Sequence, residues 1–184
     1  DSTGIVESTT ASTSSPSISA AEAADRAAAE KTWLDYQSLA NELWKQPEGT
    51  WKAALQKYAI NPALTAQLDG LKAFVAAGKD NWGEVIHHPY WLNPIDGGST
   101  ADLMDCIDAS NAGSKDAKTG KKLSVGVAHQ NTYITLLRYG SEWKVVKVTY
   151  LPNLACPGAP TANEEKASME AARSSSASMA KETQ

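Results

Sequence analysis

Two cysteines, three histidines and a scatter of aspartates are the residues whose types and spacing could do chemistry in this chain. Cys106 lies within a run that reads as a strand, and Cys156 lies among Pro152, Pro157 and Pro160. Bonded to each other, the two would pin the end of a sheet to an earlier strand. Closing a loop of about 50 residues contributes roughly 4 kcal/mol by the chain-entropy argument. Two free thiols, or one catalytic thiol, are the alternatives. A reactive thiolate needs a basic or helix-N-terminal setting, whereas Asp105 and Asp108 crowd Cys106 with negative charge. The disulfide is the preferred reading, and it implies an oxidising, extracytoplasmic compartment.

His87-His88-Pro89 invites a metal. Adjacent residues of a strand point to opposite faces, so the pair cannot readily share one ion. Asp96, Asp102, Asp105 and Asp108 invite calcium, but the spacing of an EF-hand loop is absent. Neither a metal nor a cofactor is expected. The chain has no Gly-rich phosphate loop, no G-x-S-x-G elbow and no H-E-x-x-H pair. Six tryptophans are many for this length. Trp33, Trp44, Trp51 and Trp143 fall on apolar stripes and read as core, which leaves Trp82, Tyr90 and Trp91 as a group able to stack on sugar rings. Lys115, Lys118, Lys121 and Lys122 form a basic hairpin tip. Such a tip suits anionic headgroups or wall polymers, or simply keeps a sheet edge soluble.

These residues must be positioned by a body of modest size. The chain has 184 residues and a net charge of -4, with no apolar run approaching the length of a membrane span. The charge argues against nucleic acid as the partner. Residues 1–19 hold eleven Ser or Thr and no aromatic residue, and read as a flexible tether. Residues 157–184 are rich in Ala, Ser and Glu and read as a flexible tail, with Thr161 and Glu164 spaced to cap a frayed helix. Residues 20–156 remain for one domain, almost neutral in charge.

Within that body Ser19 and Glu22 form a capping box for a first helix running to about residue 45, with Trp33, Tyr36, Leu39, Ala40, Leu43 and Trp44 on one face. Thr50 is placed to cap a second helix bearing Trp51, Leu55 and Tyr58. Asn61-Pro62 is placed to start a third, with a stripe of Leu64, Leu68, Leu71 and Val75 that ends at Gly78. The period then changes. Strands are expected over residues 85–91, 101–109, 123–129, 131–139 and 142–151, with a turn at 118–121. Gly140-Ser141 fits a two-residue type II′ turn between the final pair. Helices followed by an antiparallel meander make an α+β fold. The last strands carry apolar groups on both faces, so either a partner covers the second face or the sheet curls around a cavity.

Three helices, then Asp105-Cys106-Ile107-Asp108, Thr119-Gly120, Glu142-Trp143-Lys144-Val145 and a closing Cys156, resemble small secreted lipoproteins of actinobacteria and their phages. Those proteins are similar to the NTF2-like (SnoaL-like or cystatin-like) fold, in which helices pack into the concavity of a strongly curved sheet. The resemblance spans about residues 24–156. It implies that the Ser/Thr-rich start at Asp1 follows a lipidated cysteine in a mature lipoprotein, so that membrane contact is through that anchor alone.

The same fold hosts ketosteroid isomerases, dehydratases and epoxide hydrolases, which place Asp, His or Tyr within the cone. By that resemblance His87, Asp105, His129 and Tyr133 are the candidates here. An isomerase needs a desolvated carboxylate facing a phenol that stabilises an enolate, and Asp105 with Tyr133 would be that pair. The preferred expectation is not an enzyme. It is a tethered surface domain that binds or blocks a cell-envelope protein or glycan, as in exclusion of a second phage. A small-molecule carrier or isomerase-like enzyme using the cone is the alternative, and a homodimer through the second sheet face is compatible with both.

Overall fold

The computed structural model describes residues 18–95 and 97–158. Most of the N-terminal tether and the capped helix expected beyond Thr161 lie outside them. Helix α1 (Ala20–Leu43) starts where the sequence places it, with the Ser19 hydroxyl accepting from the Glu22 amide at 3.1 Å. The return arm of the capping box goes elsewhere. Glu22 Oε1 accepts from Arg26 Nε at 2.7 Å and from the Ile95 amide at 3.0 Å, which ties the helix start to a distant loop. Ala29, Trp33, Tyr36, Ala40 and Leu43 form its buried face.

Helix α2 (Glu48–Leu55) begins directly after Pro47. Thr50 is inside it rather than capping it, and its hydroxyl donates to the Pro47 carbonyl at 2.7 Å. Helix α2 thus starts earlier than expected, whereas helix α3 (Ala63–Ala76) starts one residue later, with Pro62 at the cap position and Asn61 Oδ1 accepting from the Thr65 hydroxyl. Leu64 and Leu71 are buried and Leu68 packs on the core, but Val75 at the end of the stripe is exposed.

Six strands follow: β1 (Lys79–Gly83), β2 (Ile86–Trp91), β3 (Thr100–Asp108), β4 (Ala112–Asp116), β5 (Gln130–Tyr139) and β6 (Glu142–Tyr150). An antiparallel sheet in the order β2-β3-β5-β6 carries the helices, and β1 pairs with β4 as a separate ribbon. The sequence reading lacks β1 and β4, whose polar, Gly-containing sequences show no alternating apolar period. It also expects a strand over 123–129 that does not form. There the amides of Leu123 and Ser124 both donate to the Ser114 carbonyl, which breaks the alternating ladder a strand requires. The segment nevertheless runs along β4. At Gly126 a Cβ would lie 2.4 Å from that of Ala109, so only glycine allows the approach. The β5–β6 turn is as expected, with Gly140 at φ 61° and tight Tyr139–Glu142 pairing.

Register sorts the sheet into two faces. Ala101, Leu103, Asp105 and Ile107 of β3 turn toward the helices and join Ile134, Leu136, Trp143 and Val145 in one core with Trp33, Leu55 and Leu71. Met104 and Cys106 turn to the outer face and are also buried. Part of that face is covered by the chain's own residues 151–158, bonded through Cys156 to Cys106 with Cα atoms 5.6 Å apart. Asn131 is the second fastening: its backbone carbonyl accepts from the Leu151 amide, and its side chain donates to the Ala155 carbonyl and accepts from the Tyr90 hydroxyl. Tyr139 and Tyr150 remain exposed at the sheet margin.

Candidate functional site

A carboxylate in an apolar core is costly unless its oxygens are hydrogen-bonded. Asp105 is completely buried on the inner face of β3 and meets that requirement with three donors. Oδ2 accepts from Trp33 Nε1 of α1 at 2.8 Å and from His87 Nδ1 of β2 at 2.6 Å. Oδ1 accepts from the His88 backbone amide at 2.8 Å. The register explains the convergence. His87 pairs with Ile107, two residues along β3 from Asp105, so both side chains share the inner face. Trp33 and His87 also meet edge to face, with ring centroids 6.2 Å apart.

His87 is partly open, because it forms part of the wall of a cavity of about 580 Å³ between α1 and the β1–β4 ribbon. Ser38, Asn41 and Glu42 of α1, Asn81 and Trp82 of β1, and Glu84 supply the other polar groups of that wall. With Nδ1 committed to Asp105, Nε2 is the nitrogen His87 has left for a ligand. A buried acid thus holds one imidazole in a fixed orientation at the edge of a cavity. Such a pair can offer a hydrogen bond or accept a proton.

The other expected candidates do not join it. Tyr133 pairs with Met104 and turns to the outer face, whereas Asp105 pairs with Thr132 and turns inward. The acid–phenol pair of an isomerase is therefore not assembled. Burial, together with the neighbouring Asp102 carboxylate, pushes the Tyr133 phenol up. His129 is exposed at φ 57° just before β5. His88 pairs with Cys106 on the opposite face from His87, as strand alternation requires.

The four acids also separate. Asp96 lies outside the described residues. Asp102 accepts from Thr135, and Asp108 accepts from the Ser110 amide, with Ser110 holding its carboxyl below the usual range. Among the described residues no group of three or more His, Cys, Asp or Glu side chains could hold a metal.

Trp82, Tyr90 and Trp91 do not form one stacking surface. Trp82 Nε1 donates to the Ser114 and Ser124 carbonyls, and the Lys122 ammonium sits 3.4 Å from its ring centroid. Tyr90 faces outward to Asn131, while Trp91 faces inward, donates to Glu30 and lies under Arg26. Of the lysines, Lys115 pairs with Asp80 at 3.1 Å, and Lys118 and Lys121 stand exposed around the turn. The part of the site that sequence reasoning misses is Trp33. Its place on the apolar stripe is legible, but a buried indole N–H also needs an acceptor, and that need was the available signal.

The arrangement defines an α+β domain with helices packed on an antiparallel sheet, the class expected from the sequence. No protein-family model matches the chain, and no curated protein matches it. Among solved structures it is similar to the intermembrane-space region of the chloroplast protein ARC6. The two are 12% identical at a TM-score of 0.44, covering 66% of this chain and 95% of that one. It is also similar to an NTF2-like protein with a cystatin-like fold from Novosphingobium aromaticivorans. There the identity is 16% at a TM-score of 0.38, covering 78% of this chain and 88% of that one. The disulfide belongs to an oxidising compartment, and no helix among the described residues is long and apolar enough to cross a membrane.

Proposed function

We propose that this chain is a non-catalytic extracytoplasmic recognition domain, held at the bacterial surface by its N-terminal segment, that takes part of a cell-envelope protein or glycan into the cavity beside His87. The observation that carries this reading is the cavity itself. Its volume of about 580 Å³ falls in the range of ligand sites, and amide, hydroxyl and imidazole groups converge on its wall. Against catalysis stand the full engagement of Asp105 and the turning of Tyr133 to the far side of the sheet. Blocking of a second phage at the envelope suits such a domain. The test is capture from envelope extracts by the full chain and by Ser38→Arg, which fills the cavity from an exposed helix position. Capture that Ser38→Arg abolishes supports the reading, and capture that survives it removes the cavity from the binding surface.

One observation favours a second reading, a small-molecule carrier or enzyme. The His87–Asp105 pair has the form of an oriented general base. Native mass spectrometry of the chain purified from its own envelope separates the two. A retained small molecule that Ser38→Arg displaces points to the carrier.

A further inference from the structure

We propose that residues 115–127 dock on an anionic lipid bilayer, a contact independent of the cavity and of any lipid anchor. Leu123, Val125 and Val127 are 50%, 60% and 57% exposed, on the irregular segment that runs beside β4. The residues between them are tied back to the protein, although Ser124 is itself exposed. The Ser124 hydroxyl lies 2.7 Å from that of Ser114, and Gly126 packs against Ala109. Backbone bonds from Leu123 to Ser114, from Gly126 to Ala112, and from Ala109 to Val127 hold the segment down. These bonds hold the segment with its three aliphatic side chains in solvent.

Its neighbours carry the charge. Lys118 and Lys121 are exposed and, among the described residues, form no ion pair, and Lys122 lies beside them over Trp82. The one acid of the turn, Asp116, accepts through Oδ1 from the amides of Lys118 and Thr119 and from the Thr119 hydroxyl, which turns that oxygen into the loop. Apolar side chains rimmed by lysines match the boundary between acyl chains and phosphate headgroups, where the ammonium groups stay wet and the aliphatic groups do not. A protein partner fits less well, because lysine is depleted from protein interfaces. Protection of a sheet edge accounts for the lysines but not for three aliphatic residues beside them.

The test is co-sedimentation of the full chain with phosphatidylglycerol–phosphatidylcholine vesicles and with phosphatidylcholine alone. Binding to the anionic vesicles only, weakened by salt, is expected. Lys118→Ala with Lys121→Ala lowers the partition constant by about fivefold for each lysine. Val125→Ser lowers it as well, and Lys52→Ala on α2 leaves it unchanged. All four positions are exposed, and an unaltered thermal transition shows that each variant is folded. Absence of sedimentation, or equal sedimentation with both vesicles, overturns the proposal. So does binding that Val125→Ser leaves intact while soluble polyphosphate competes for it, which would assign the lysines to a phosphate polymer.

Discussion

The inner and outer faces of the four-stranded sheet are closed by different physical means. On the inner face three helices supply area. Trp33, Leu55, Leu103, Ile134, Leu136 and Val145 are completely buried there, and full burial of an aliphatic side chain contributes roughly 1.5–3 kcal/mol. On the outer face residues 151–158 have little to bury and are fastened instead, by one covalent bond and by Asn131. Each face also holds a polar group that its packing must satisfy, Asp105 within and Asn131 without. The contrast teaches that a short strap can close a sheet face if its ordering entropy is offset by a cross-link rather than by apolar area.

The comparison breaks most sharply at Asp105. Asp105→Ala orphans the Trp33 indole, the His87 ring and the His88 amide, at roughly 1–3 kcal/mol for each buried donor. A loss of about 5 kcal/mol is expected in urea denaturation with an unchanged m-value. A loss under about 1 kcal/mol would mean that water or a neighbour replaces the carboxylate. Replacing Cys106 and Cys156 by serine comes next. It costs about 4 kcal/mol for a separation of 50 residues. Proteolysis of the double variant should add cleavage within 151–158 that the wild type resists and leave the helices intact. Protection equal to wild type would show that the strap holds without its bond.

A smaller effect is expected from Tyr90→Phe, which leaves Asn131 Oδ1 without its donor and costs about 1–2 kcal/mol. Thermal melts of that variant in the reduced and oxidised chain should show whether the two fastenings are coupled. The smallest effect, absent at neutral pH, belongs to Tyr36. Burial, with a lesser push from the Tyr150 phenol, raises its pKa far above the ordinary 10.0. The folded phenol stays neutral where the unfolded one ionises. Its contribution is therefore complete below pH 10 and is lost as pH rises toward the folded value. Stability measured from pH 9 to 11 should fall, and Tyr36→Phe should flatten that slope more than Tyr133→Phe on the outer face.

Much of the helical layer is legible before folding. The cap at Ser19 and the three-and-four spacing from Trp33 to Leu43 depend on neighbours within one or two turns, and the turn at Gly140 depends on two residues. Errors cluster where a residue has two local uses. Thr50 and Asn61 carry the chemistry of a cap, yet each spends it one turn away on a neighbouring group. The β1–β4 ribbon was illegible because its stability comes from pairing across more than thirty positions, as at Trp82 and Gly113, and not from an apolar pattern.

What the sequence determined alone was therefore what short-range sterics and counting can decide: an α+β order of elements and an apolar helix face, with the pairing of the two cysteines preferred but not fixed. Only the tertiary structure decided that Asp105 sits buried against His87 and not against Tyr133. Its side-chain partners lie 18 and 72 positions away. Which of them it meets follows from register, and a shift of one residue would have exchanged every side chain on the strand for its neighbour on the other face.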